Sequence, residues 1–226
     1  MPQNSDNNPY VSAYRHAAAG GLGELLAKTY SLLAATLAVS AIASYFGMHS
    51  PFVFQHPILL MIGSFALLFA VQYTGARHSP LAVPLVFAFA AGMGLMMGPM
   101  IAVYLKMPGG TGIVTEALGT TAVMFVGLSA YGALTRRNFS HIGGFLITGL
   151  IVAIVASLLN AFLFHLEALQ LAIAGVIVLV FSGLIVYDTQ RMVQDGIQEP
   201  VLLVVSLYLD IINLFQALLE IFGSRS

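Results

Sequence analysis

Two aspartates are the first residues to account for. Asp210 lies within SLYLDIINLFQALLEIFG, residues 206–223, a stretch otherwise apolar enough to cross a membrane. Asp188 lies within VFSGLIVYDTQRMV, in the apolar run just before it. A carboxylate deep in hydrocarbon costs about 2.5–3.5 kcal/mol even on the gentler insertion scales, so it must be protonated, paired or hydrated. Two carboxylates in one low-dielectric site resist ionising together and share a proton. Deprotonated, they repel each other or take up a cation that prefers oxygen ligands, such as Ca²⁺. If Asp188 and Asp210 meet, they form a proton-sensitive latch between two helices, with transient Ca²⁺ binding as its corollary.

The spacing says where Asp210 points. At 100° per residue, Ser206, Asp210, Asn213, Gln216 and Glu220 fall within an arc of about 120°, with Tyr208 well outside it. The last helix therefore carries one polar stripe, which must face the interior of a bundle or water. Counted from Pro200, a favourable first helical residue, Asp210 is about 15 Å along the helix axis. That is near the midplane of a hydrocarbon core roughly 30 Å thick. If the preceding helix stops at Gly196, Asp188 is about 10 Å from its end. The offset between the two aspartates is roughly 5 Å, which helix tilt can absorb.

Each of these residues has a plainer reading beside the chemical one. Asp188 has Arg191 three residues on as an alternative partner to Asp210. Asp210 can be a structural hydrogen-bond acceptor, and Asn213 a helix-packing amide rather than a ligand. Glu116 opens the fourth apolar run, where a carboxylate suits the helix dipole, or it serves as a counter-charge. Asn160 suits an interhelical hydrogen bond. The six histidines sit in loops or near run ends without metal-ligand spacing, so no zinc site is expected. HExxH, GxSxG and Walker motifs are absent. An intramembrane aspartyl protease would place its second aspartate in a GxGD context, and here the context is LYLD. The chain is not expected to be an enzyme or to need a cofactor.

The elements that position these residues follow from composition. Of 226 residues, 59% are hydrophobic and only 8% charged, against roughly 25% charged in a soluble domain. This is the composition of an integral membrane protein, whose first partner is the lipid bilayer. The formal charge of −1 argues against nucleic acid. The absence of cysteine excludes disulfides and a thiol nucleophile. Seven apolar runs are long enough to span, at about 25–47, 56–75, 81–105, 112–135, 141–164, 168–192 and 200–223. Short polar breaks separate them, leaving no room for a soluble domain. The expectation is one all-α domain over residues 24–226, preceded by a polar, flexible tail over residues 1–23. Arg15, Lys28, Arg77, Arg136, Arg137 and Arg191 fall on the N-terminal side, and Lys106 and Arg225 on the other. The positive-inside rule then places the N-terminus in the cytoplasm and the C-terminus outside it. In FAFAAGMGLMMGPM, Gly94 and Gly98 are four apart, the spacing of closely packed membrane helices. GMGLMMG follows no strand and offers no polar approach to a phosphate, so it is not a dinucleotide loop.

The segments YDTQ and SLYLDIINLFQALLEIFG resemble the signature of the Bax inhibitor (transmembrane Bax inhibitor motif) family. KTYSLLAATLAVSAIAS resembles that family's first helix, and EALGTTAVMFVGLSAYGALTRRNFSHIGGFL its fourth and fifth. GPMIAVYL and the fourth-to-fifth stretch resemble the bacterial YccA-like branch. The resemblance implies seven helices with the last one central, surrounded by the other six. It also implies a helix-six and helix-seven aspartate pair, matching Asp188 and Asp210, that senses pH in calcium-leak members. A helix-two arginine latches that pair in such members; here the second span has only Arg77, at its end. The YccA-like branch implies an inner-membrane modulator of FtsH, a membrane-bound ATP-dependent protease, with the N-terminal tail as the protease's handle.

Overall fold

The computed structural model describes residues 9–135, 137, 139–195 and 199–225, with backbone alone for residues 9–20, Ser140 and Asp195. Eight α-helices account for nearly all of it: α1 (Pro9–His49), α2 (Pro51–Gln55), α3 (Pro57–Ala76), α4 (Ala82–Leu105), α5 (Gly110–Leu134), α6 (Gly143–Leu159), α7 (Glu167–Asp195) and α8 (Pro200–Gly223). All but the short α2 are long and apolar enough to cross a membrane, giving the seven expected spans. The protein is a multi-pass membrane protein.

The boundaries follow local chemistry. Pro51, Pro57 and Pro200 each stand in the first turn of their helices, where a missing N–H costs nothing. Gly109 takes a left-handed conformation, φ 68°, to turn the chain into α5. At the end of α6 a π-helical turn, Asn160–Phe164, leads into the α6–α7 connection. Asn160 pins that connection. Its side chain accepts from the Leu166 N–H at 3.0 Å, and donates to the Leu166 carbonyl at 3.1 Å and to Gln170 at 3.0 Å. The interhelical bond expected of Asn160 is thus present, made to α7 at the turn.

Residues 1–8 of the expected N-terminal tail lie outside the described residues, as do Arg136 and residues 196–198. From Pro9 onward the backbone is helical and continuous with the first span, which itself begins at Gly21.

The central helix is α8. Some 72% of its most apolar window is buried, against 17–33% for the other spans. Helices α1, α3, α4, α5 and α7 all pack on it, whereas α6 packs on α7. The sequence of α6 explains its peripheral place: Phe145, Ile151 and Val152 are exposed on it, and lipid accepts such side chains as readily as a core does.

Helices α1 and α4 make the most extensive pairing, and small residues make it close. A Cβ at Gly94 would strike the Ser40 backbone, and one at Gly98 would strike the backbone of Gly47 and Met48. Pro99, inside α4, cannot donate to the carbonyl of Leu95. Gly47 of α1 packs directly against that carbonyl.

Candidate functional site

Helix α8 brings Asp210 to the middle of the bundle. Leu207, Tyr208, Ile211, Ile212 and Leu214 around it are all buried. The less covered positions of α8 are Leu202, Ser206, Leu209, Asn213, Gln216 and Glu220, all half-buried. They follow one another at steps of three and four residues, so they form one line along the helix. Ser206, Asn213, Gln216 and Glu220 of the polar stripe lie on that line, a partly accessible seam along the least covered face of α8. Asp210 sits at its edge and is only 4% exposed.

The carboxylate of Asp210 is not fully satisfied. Its Oδ2 is buried and accepts no hydrogen bond. Asp188 of α7 is near enough for its charge to act on Asp210, and Arg191, one turn further along α7, acts on Asp188. Asp188 is thus within electrostatic reach of both Asp210 and Arg191.

The other residues divide around this pair. Asn213 donates to the carbonyl of Leu209 on its own helix at 2.7 Å. Ser206 and Gln216 line the seam above and below. Arg77 is exposed at the end of α3, with its guanidinium 4.3 Å from the Tyr73 ring centroid. Glu116 is exposed on α5. Neither is brought to the aspartates. At its C-terminal end the seam reaches a recess of about 520 Å³ lined by Tyr104, Glu167, Gln170 and Glu220. Among the described residues no group of three or more His, Asp or Glu side chains is arranged to hold a metal ion. The pair offers carboxylate oxygens that suit Ca²⁺, but from two residues only.

Three further residues position the pair, and sequence reasoning did not assign them this role. Tyr208, two residues before Asp210, is 1% exposed. Its hydroxyl meets Ser40 of α1 at 2.7 Å and donates to the Ala90 carbonyl of α4 at 3.4 Å. Its ring stands edge-on to Phe89 with centroids 5.6 Å apart. A tyrosine in mid-span, away from the interface, was the signal: a buried phenol must find a partner. Next to Asp188, Gln190 accepts from the Phe139 N–H at 2.7 Å and donates to the Arg137 carbonyl. Thr189 donates to Ser129 of α5 at 3.4 Å. The YDTQ segment thus ties α7 to α5 and to the α5–α6 turn, and so fixes the rotation that presents Asp188 to α8.

The family model described as "Inhibitor of apoptosis-promoting Bax1" matches residues 22–226. The chain belongs to the Bax inhibitor family. Its relatives in that family are spread widely. A membrane protein of Vibrio cholerae is 39% identical over 88% of this chain and 89% of its own length. The Escherichia coli protein named "Modulator of FtsH protease YccA" is 35% identical over 90% of this chain and 91% of its own. Protein lifeguard 4 of the mouse is 35% identical over 86% of this chain and 82% of its own. The family model's match takes in the α7 and α8 spans along with the rest of the membrane domain.

Proposed function

We propose that the protein is an inner-membrane modulator of the FtsH protease, with its N-terminus in the cytoplasm and its C-terminus on the far side. The observation that supports this reading is the 35% identity, along 90% of the chain, with a protein named for that role. The bias of Lys and Arg toward the N-terminal side supports the orientation, and the N-terminal segment is the part an ATP-driven protease could grip. Deleting residues 2–23 is expected to lengthen the protein's lifetime in cells that hold FtsH and to leave it unchanged in cells that lack it. An unchanged lifetime in both would count decisively against this reading.

A second reading rests on a different observation, the buried Asp210 oxygen without a hydrogen-bond donor beside a second carboxylate. It makes the seam on α8 a proton-responsive pathway for Ca²⁺ or another cation. Liposomes holding the protein should then pass Ca²⁺ at a rate that differs between about pH 6 and about pH 8, and Asp210→Asn should abolish the difference, because an amide does not titrate in this range. Equal flux at both pH values in the wild type would remove this reading and leave the first untouched.

A further inference from the structure

A second concave feature lies away from the aspartates. Helices α1 and α5 stand apart over much of their length, and between them a cleft of about 580 Å³ reaches inward to Ile211, Ile212 and Phe215 of α8. Its walls are Leu37, Ala41 and Met48 of α1 and Val114, Ala122 and Val126 of α5, with Leu105 of α4 near its end. At its inner end α1 and α5 come together where the Tyr30 and Phe125 rings meet edge-on, 6.2 Å between centroids.

The lining asks for a purely apolar guest. Its hydroxyls are already used: Ser44 donates to the Ala41 carbonyl, Thr121 to the Ala117 carbonyl, and Ser40 is engaged with Tyr208. The wall residue Leu118 is 54% exposed and Val126 66% exposed, so the cleft opens sideways between spans, to hydrocarbon. From Leu37 to Met48 the wall rises about 16 Å, which is close to half of a roughly 30 Å core, the depth of one leaflet. A methylene fills about as much space as a water molecule's ~30 Å³ share of liquid, so the cleft holds on the order of fifteen to twenty of them. That is the content of one acyl chain.

Charge at the mouth selects the lipid. The residues that follow the last lining positions of α1 and α4 are His49 and Lys106, both exposed. Both lie where the spans end, at headgroup level. A cation held there attracts an anionic headgroup.

We propose that this cleft is a binding site for one anionic phospholipid, with an acyl chain lying between α1 and α5 and its phosphate at Lys106.

The test uses the full chain purified in mild detergent, with phosphatidylglycerol or phosphatidylcholine added, and counts retained lipids by native mass spectrometry. The wild type is expected to retain one phosphatidylglycerol in preference to phosphatidylcholine. Ala122→Phe and Ala41→Phe fill the cleft from opposite walls. Either ring takes up volume that the acyl chain needs, so each variant should lose most of the retained phosphatidylglycerol. Val123→Phe, one position along α5 at a site 75% exposed and outside the cleft, presents the same ring and should retain lipid as the wild type does. Lys106→Gln should keep the lipid and lose the headgroup preference. Retention unchanged in both cleft-filling variants, or an equal loss in Val123→Phe, would overturn the site. Equal retention of the two lipids by the wild type would overturn its selectivity for an anionic headgroup.

Discussion

Replacing Asp210 by asparagine separates a carboxylate kept for its chemistry from one kept for structure. In the native protein Oδ2 of Asp210 is buried without a hydrogen bond and lies in the field of Asp188. An orphaned buried acceptor costs about 1–3 kcal/mol. The amide preserves the shape, never ionises, and so removes a like charge from the field of Asp188. Where the wild-type residue is ionised, Asp210→Asn should therefore stabilise the bundle by about 1–3 kcal/mol. In a chain of this length each kcal/mol moves the thermal midpoint by about 2–4 °C, so the expected rise is roughly 2–12 °C. The sign of the pH dependence follows from the charge. Where the wild-type pair holds its proton, residue 210 is neutral in both proteins and the gap is small. Where the wild type ionises, only it carries the extra charge, so the gap widens as pH rises. Circular dichroism melts of both proteins in the same detergent, at about pH 5 and about pH 8, measure this against the ordinary carboxyl range. A midpoint for Asp210→Asn that is equal to or below wild type at the higher pH would refute the reasoning and make Asp210 a satisfied structural acceptor.

Two further outcomes follow from the packing. Tyr208→Phe removes the hydroxyl shared by Ser40 and Ala90 and should cost about 1–3 kcal/mol, since Ser40 is left buried without that partner. The same melts should show the double variant with Ser40→Ala costing less than the sum of the two single changes. Gly94→Ala should lower the midpoint, because overpacking typically costs about 1–3 kcal/mol and here the obstacle is the Ser40 backbone. Gly119→Ala, on a helix face with nothing within 4 Å, should instead gain about 0.5–1 kcal/mol.

The spans were legible because a continuous apolar run of membrane-crossing length finds few stable settings besides a bilayer; the seven bounds fall within a few residues of the spans observed, although the helix that holds the first span reaches back to Pro9. The polar stripe on α8 was legible from its helical spacing, but not that four of its members would lie on the least covered face of that helix while Asp210 is buried at its edge. What the sequence hid is whatever depends on the neighbour. Asp188 had both Asp210 and Arg191 as candidate partners in the sequence, and only the packing of α7 on α8 puts it within electrostatic reach of each. Arg77 had the charge for a latch, but its position at the end of α3 offers it the Tyr73 ring instead. Hydropathy could not rank α6 as peripheral, since a lipid-facing helix and a buried one read alike. Nor could it show that α1 stands off α5, because a cleft is made by two walls and the sequence gives each wall separately.

The first span has a mechanical meaning as well. Its helix is unbroken from Pro9 to His49, a rod about 60 Å long, and its far half is set against α4 through Ser40, Gly47, Gly94 and Gly98. A pull on the N-terminal end along this axis cannot be taken up by a turn or a hinge before it reaches those contacts. It loads them in shear, all together, rather than peeling them one after another. Resistance to such a pull is thus shared between these close α1–α4 contacts and the packing of α1 on α8. Those glycines would act as the tether's anchor bolts, and loosening one should ease the withdrawal of the whole chain.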